Sequence, residues 1–303
     1  MTNLASNEVE ALAPRIAYEL ITPAAAAEIQ SLTRRHCCNP RRLDPAHARR
    51  LARDMASGLW DEDNPEVICI CGHGAVIQGQ HRLEAVIISD LPRRFLVSRG
   101  VPHSASVTMD SGKTRSAAVA LSTAGVERYR KDLSSTVKLL RLYDVERKTT
   151  PWTAWSSSSF TNSEIVGFFQ SDYQDLAEQL PQMNALKSAL WSAPSASLAS
   201  SYLLYRDGGE IEVAEFLQGL VSGANLGETD PRWVLRRFFL NPTRNRRGSA
   251  VSPHQIGLFL KCWNLWITGE TWEISYFRPN ETMPLVISVT DAAQMREMRL
   301  EFA

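Results

Sequence analysis

Gly79-Gln80-His81-Arg82-Leu83-Glu84-Ala85-Val86 is the stretch from which the fold is read. Two apolar runs precede it, Val67-Ile68-Cys69-Ile70-Cys71 and Ala75-Val76-Ile77, separated by Gly72-His73-Gly74. A third, Ala85-Val86-Ile87-Ile88, follows. Branched residues around a glycine turn predict a hairpin, and the third run predicts a helix opening near Gln80. A glycine at the switch from strand to helix lets another group come close to the backbone. Unsatisfied N–H groups at a helix start, with His81 and Arg82 beside them, suit an anion such as a phosphate. An ordinary turn with a solvated arginine and a capping histidine fits the same residues.

Upstream, Asn39-Pro40-Arg41-Arg42-Leu43-Asp44 precedes a predicted helix. An Asn-Pro-Arg box, a helix, a hairpin and then a Gly-x-x-Arg box is an order that resembles the amino-terminal domain of the ParB/sulfiredoxin-like superfamily. Residues 79–85 are similar to the ParB box Gly-Glu-Arg-Arg-x-Arg-Ala, and closer still to the Asp-Gly-Gln-His-Arg box of ParB-like proteins from phages and DNA-modification islands. Beyond the core, Asp110-Ser111-Gly112-Lys113-Thr114-Arg115 also resembles the phage group, and its spacing is not that of a Walker loop. The resemblance covers residues 15–125. It implies a small mixed sheet with helices and a nucleotide-phosphate site there; with the mostly α-helical domain read below over 126–303, the expected fold class is α+β. It also implies a nucleoside triphosphate, ATP or CTP with Mg²⁺, as cofactor. On the matching positions, the implied phosphate cradle is Gly79, His81, Arg82, Arg41, Arg42, Asp110, Lys113 and Arg115.

The departures from the family pattern bear on chemistry. Gln80 stands where sulfiredoxin needs its cysteine, which removes sulfur reduction. It also replaces the ParB glutamate, and glutamine can orient water but cannot act as a carboxylate base. Glu84 replaces the last ParB arginine, and Gln78 the aspartate of the phage box. The positions left for catalysis are Gln80, His81 and Glu84, with Asp61 and Glu62 from the acidic loop Trp60-Asp61-Glu62-Asp63-Asn64-Pro65. Those acids suit a magnesium ion or a general base, and equally a plain polar loop.

Asp44-Pro45 is a strong helix start, and Ala48, Leu51, Ala52 and Met55 follow at helical spacing before Gly58. Seven arginines lie between Arg34 and Arg53. They read as a solvated basic face or as phosphate or DNA contacts. Residues 1–14 read as a loose leader, Pro23 to Gln30 as a short helix, and Arg94–Ser98 as a strand.

The second half is predicted helical over 126–150, 171–190, 195–206, 211–221, 230–240 and 253–267. Thr161-Asn162-Ser163-Glu164 reads as a capping box and Asp230-Pro231 as another cap. A short strand pair near Ile274–Phe277 and Leu285-Val286 is expected to close the domain. Arg232, Arg236 and Arg237 share a helix face. The loop after them, with Arg244, Arg246 and Arg247, is the expected nucleic-acid contact, or else a solvated loop. Phe259, Trp263 and Trp266 share helical spacing and read as core rather than as a base-stacking platform. No helix-turn-helix pair is evident.

The chain has 303 residues, 44% hydrophobic and 22% charged, with zero formal net charge. That is the composition of a globular protein, and bulk charge does not announce a nucleic-acid binder. No apolar run reaches membrane-spanning length and the first residues lack a signal-peptide pattern, so a cytoplasmic location and no membrane partner are expected. Five cysteines, an odd number, argue against a disulfide framework. His36-Cys37-Cys38 has no second ligand pair at zinc-like spacing, so no structural zinc site is expected. Two functions follow. One is a ParB-like NTPase or phosphotransferase of a phage or mobile element, coupling nucleotide binding to DNA modification or processing, with DNA, modification proteins or a second copy as partners. The other is a non-catalytic DNA-binding regulator or partition-type protein.

Overall fold

The structure, a computed structural model, describes residues 14–36, 42–102, 105, 116–155, 160–241 and 251–301. The chain divides into two compact units, Met1–Arg115 and Ser116–Ala303. The sequence reading had placed the division ten residues later, between 125 and 126. Helix α4 (Ala117–Thr123) belongs to the second unit, where Leu121 is buried in the helical core.

The first unit runs β1 (Arg15–Ile21), α1 (Pro23–His36), α2 (Pro45–Ala56), β2 (Ile68–Cys71), β3 (Val76–Gln78), α3 (Gln80–Ser89) and β4 (Arg93–Val101). The strands form one mixed sheet in the order β1-β4-β2-β3. The hairpin β2–β3 is antiparallel, α3 is the crossover that makes β4 parallel to β2, and β1 closes on β4 antiparallel. Period-two alternation sorts the side chains. Ile68, Ile70, Val76, Phe95 and Val97 pack with Ile29, Met55, Leu83 and Val86 of the three helices, while Cys69, Cys71 and Ile77 face the other way. Asp44 caps α2 as its sequence predicts, accepting from the Ala46 and His47 amides at 2.9 and 3.3 Å.

One expectation needs correction here. The helix begun at Pro23 continues to His36, well past Gln30. The strand β1 had no reading at all. Its apolar residues Ile16, Tyr18 and Leu20 alternate as a strand should, but all three are exposed. Alternation with no core to serve gives a weak signal.

The second unit is helical: α4, α5 (Arg130–Glu146), α6 (Asn162–Ser171), α7 (Leu180–Leu190), α8 (Pro194–Asp207), α9 (Glu210–Ser222), α10 (Pro231–Phe239), α11 (Val251–Ile267) and α12 (Val289–Glu301). The predicted capping box is formed, with Thr161 and Glu164 bonding each other's amides at 3.1 and 2.7 Å. The predicted helix 171–190 is instead a short 3-10 turn, Gln174–Gln179, followed by α7, which starts at Leu180-Pro181 where proline fits the first turn. The expected strand pair near 274–286 is absent among the described residues. Side chains satisfy that irregular backbone in place of a ladder. Tyr143 Oη donates to the Pro284 carbonyl at 3.1 Å, Trp152 Nε1 to Arg278 at 2.7 Å, and Asn264 binds both Leu285 and Ile287. Phe259 and Trp263 are fully buried, so this aromatic row is core. No helix of the described residues is long and apolar enough to cross a membrane.

Candidate functional site

The site the sequence singles out begins at Gly79, which has φ +101° and starts α3 without a side-chain cap. A Cβ there would lie 3.0 Å from Ile68 Cγ1 and 3.3 Å from Arg82 Nη2. Both the left-handed backbone and the tight packing demand glycine, independent of any ligand.

Arg82 differs most from expectation. It is only 8% exposed. Its Nη1 donates to the Glu66 carbonyl at 2.5 Å and its Nη2 to the Val67 carbonyl at 3.0 Å. The fork that was expected to grip a phosphate ties α3 to the chain entering β2. With the side chain buried and one donor of each terminal nitrogen held by a carbonyl, the fork is turned inward rather than presented to a ligand. Gln80 is also buried, and its carbonyl accepts from Gln30 Nε2 at 2.8 Å, joining α1 to the same turn.

His81 points elsewhere. Its Nε2 accepts the Asp44 main-chain N–H at 2.9 Å, which sets the amino termini of α2 and α3 side by side. The His47 ring, at the third position of α2, meets the His81 ring edge-on with centroids 5.0 Å apart. Arg50 Nη2 lies 3.4 Å from His47 Nδ1. Arginine can only donate, so this contact fits a His47 tautomer carrying its proton on Nε2; His81 correspondingly carries its proton on Nδ1. Burial, reinforced by the Arg50 charge, lowers the His47 pKa below its ordinary value, against a smaller pull from Asp44. The amide of His47, then that of Ala46, helped by Arg50, holds the Asp44 carboxyl below the usual range despite some desolvation. Arg42 is exposed two residues before this cap.

The structure thus brings His81 and the end of the Asn-Pro-Arg segment together. His47 and Arg50 join them, although sequence reasoning did not select either. Their only signal was position, one turn into a helix whose cap was recognised. Glu84 lies one turn along α3, half-buried. The acids of the 60s loop are turned to other tasks. Asp61 accepts from the Asp63 amide at 2.9 Å, Glu62 lies 3.8 Å from Arg93, and Asp63 pairs with Arg94. The polar-loop alternative describes their contacts. Arg41, Asp110, Lys113, Arg115, Arg244, Arg246 and Arg247, with Cys37, Cys38 and most of the Asn-Pro-Arg box, lie outside the described residues.

No family model, curated protein or solved structure matches the chain. Its chemistry is read from its own residues.

The second unit holds polar clusters of a different kind. Arg232 pairs with Asp230 and lies over the Trp266 ring, Arg236 donates to the Leu220 and Val221 carbonyls at the end of α9, and Arg237 donates to the Glu273 carbonyl at 3.1 Å. The shared face that looked basic in sequence is spent on internal clamps, which suit cations at a helix carboxyl end. Asp144 accepts from Tyr173 Oη at 2.7 Å and pairs with Arg206 at 3.1 Å. Burial, then the Asp144 bond, pushes the Tyr173 hydroxyl far up, keeping it a neutral donor. This network ties α5 to α8. Two clefts of about 430 and 510 Å³ open on α4–α5 and beside α11, and neither is lined by a residue of the expected phosphate cradle. Among the described residues no group of three His, Cys, Asp or Glu is arranged to hold a metal ion.

Proposed function

We propose that the first unit binds the phosphates of a nucleoside triphosphate at the amino terminus of α3. His81, His47, Arg50 and Arg42 supply the polar and cationic contacts, and Arg82 holds the turn in place. The observation that carries this reading is the bond from the Asp44 amide to His81 Nε2. It joins two segments that the sequence separates by a whole helix and hairpin. Asp44 already caps α2, so the anion is assigned to α3, whose Gly79 offers no capping side chain. A helix start contributes about 0.3–1 kcal/mol to an exposed anion. An arginine contact adds about 1.5–3 kcal/mol. In the wider reading, this site belongs to a ParB-like protein of a phage or mobile element, and nucleotide binding, with hydrolysis or phosphoryl transfer, is coupled to DNA modification or processing. Gln80 is buried and Glu84 is one turn away, so slow turnover is the expectation.

The second reading is a DNA-binding regulator without turnover. The exposed Arg35, Arg42 and Arg49 favour it, since they spread positive charge around α2 and the end of α1. A binding screen with ATP, CTP and other triphosphates, with and without Mg²⁺ and DNA, separates the two. Saturable triphosphate binding supports the first. Salt-steep DNA binding with no affinity for any nucleotide replaces it with the second.

A further inference from the structure

The outer edge of the sheet carries a feature that the nucleotide site does not use. Strand β1 ends the sheet order, so one of its two edges has no strand paired with it among the described residues. Its side chains Ile16, Tyr18 and Leu20 all lie on the face opposite the helical core, and are 62%, 47% and 65% exposed. An unpaired strand edge lined by apolar residues invites another strand.

The pattern along β1 selects which strand. We infer that β1 pairs antiparallel with β1 of a second copy of this chain, about a two-fold axis at Tyr18. In that register Tyr18 faces the partner's Tyr18, and Ile16 faces the partner's Leu20, so every exposed apolar side chain meets another. On the other face the small Ala17 stands opposite the partner's Glu19. Arg15, which is exposed, lies diagonal to the partner's Glu19, within reach of a long side chain. That carboxylate is already held in place by Arg99, which binds it in bidentate fashion at 2.9 and 2.6 Å. Slipping the register by one residue turns the apolar set of one copy onto the opposite face of the other. Moving the axis to Ala17 keeps the charge pairing but carries Leu20 past the start of the partner's β1, so only the axis at Tyr18 matches all three apolar side chains. The interface is one strand wide, which makes it small and concentration-dependent.

Sedimentation velocity of the full chain, from micromolar to submillimolar concentration, reads the association directly. Tyr18→Lys sets like charges face to face and is expected to weaken it by about tenfold or more, roughly 1.4 kcal/mol per decade, with folding checked by circular dichroism. Cross-linking reads the register. Cα atoms across a paired strand lie about 4.5–5.5 Å apart, within disulfide reach. Tyr18→Cys is therefore expected to give an oxidised dimer readily. Ile16→Cys, which faces the partner's leucine, gives far less, and the parent, with its own five cysteines, sets the background. A monomer at every concentration, a dimer indifferent to Tyr18→Lys, or equal cross-linking by the two cysteine variants each overturns the inference. None of these readouts depends on nucleotide.

Discussion

Removing Arg82 tests whether that side chain is a strut or a ligand contact. Arg82→Ala deletes two charge-assisted bonds, to the Glu66 and Val67 carbonyls at 2.5 and 3.0 Å, from a side chain only 8% exposed. A hydrogen bond to a charged group contributes about 1.5–3 kcal/mol. Glu66 is exposed and its carbonyl can turn to water, so the two losses do not add in full. A destabilisation of about 3 kcal/mol is expected, which lowers the melting point of a unit this size by about 12–24 °C. Arg82→Lys keeps the charge but can satisfy one carbonyl well, and should recover about half. The assay is hydrogen exchange across residues 66–89 combined with urea unfolding, because Trp60 is the single tryptophan of the first unit and the second unit's seven dominate fluorescence. At temperatures where the variant stays folded, triphosphate binding should fall by much less than the stability loss. If Arg82→Ala unfolds like the parent yet loses triphosphate binding, Arg82 contacts the ligand and the strut assignment fails.

Three further outcomes follow from the same contacts. Gly79→Ala places a Cβ against Ile68 at a left-handed φ and should destabilise the first unit by about 1–3 kcal/mol, read from the urea midpoint. The His47 pKa is depressed in the fold by burial and Arg50. The unfolded chain therefore binds more protons once pH falls below about 6.5, and stability should decline from there until pH reaches the folded value; His47→Gln should flatten that decline in urea midpoints between neutral and acidic buffers. In the second unit, Arg236→Met removes the donor to the Leu220 and Val221 carbonyls and should cost about 1.5–3 kcal/mol; an unchanged melting curve would return that arginine to the pool available for DNA.

Much of the first unit was legible because its signals are local. Two branched runs around Gly72-His73-Gly74, a glycine before Gln80 and an aspartate-proline cap at residue 44 each fix a turn or a helix end within a few residues. The strand β1 was not legible, because its apolar residues serve an open edge. The closing segment 274–286 differs from the expected strand pair because its branched and aromatic residues lie on irregular backbone, whose Arg278, Pro284 and Leu285 carbonyls are bonded by Trp152, Tyr143 and Asn264, which no local pattern reveals. The site was half legible. Gly79 and His81 could be picked by spacing. That Arg82 turns back onto its own hairpin, and that His47 and Arg50 come round from α2, depends on how two helices pack. Arg232, Arg236 and Arg237 share a helix face in sequence, but that they act as clamps onto Asp230, the end of α9 and Glu273 depends on packing that helical spacing does not reveal.

The central claim is that the start of α3 binds triphosphate through His81 and Arg50. The direct measurement is a calorimetric titration of the parent and of the double variant His81→Ala/Arg50→Ala with the triphosphate preferred in the screen, both checked for folding by thermal melt. The account predicts saturable binding by the parent and a loss of about ten- to a hundredfold in the variant, on the scale of 1.4 kcal/mol per decade. A folded double variant that binds as tightly as the parent, or a parent that binds no triphosphate, contradicts it.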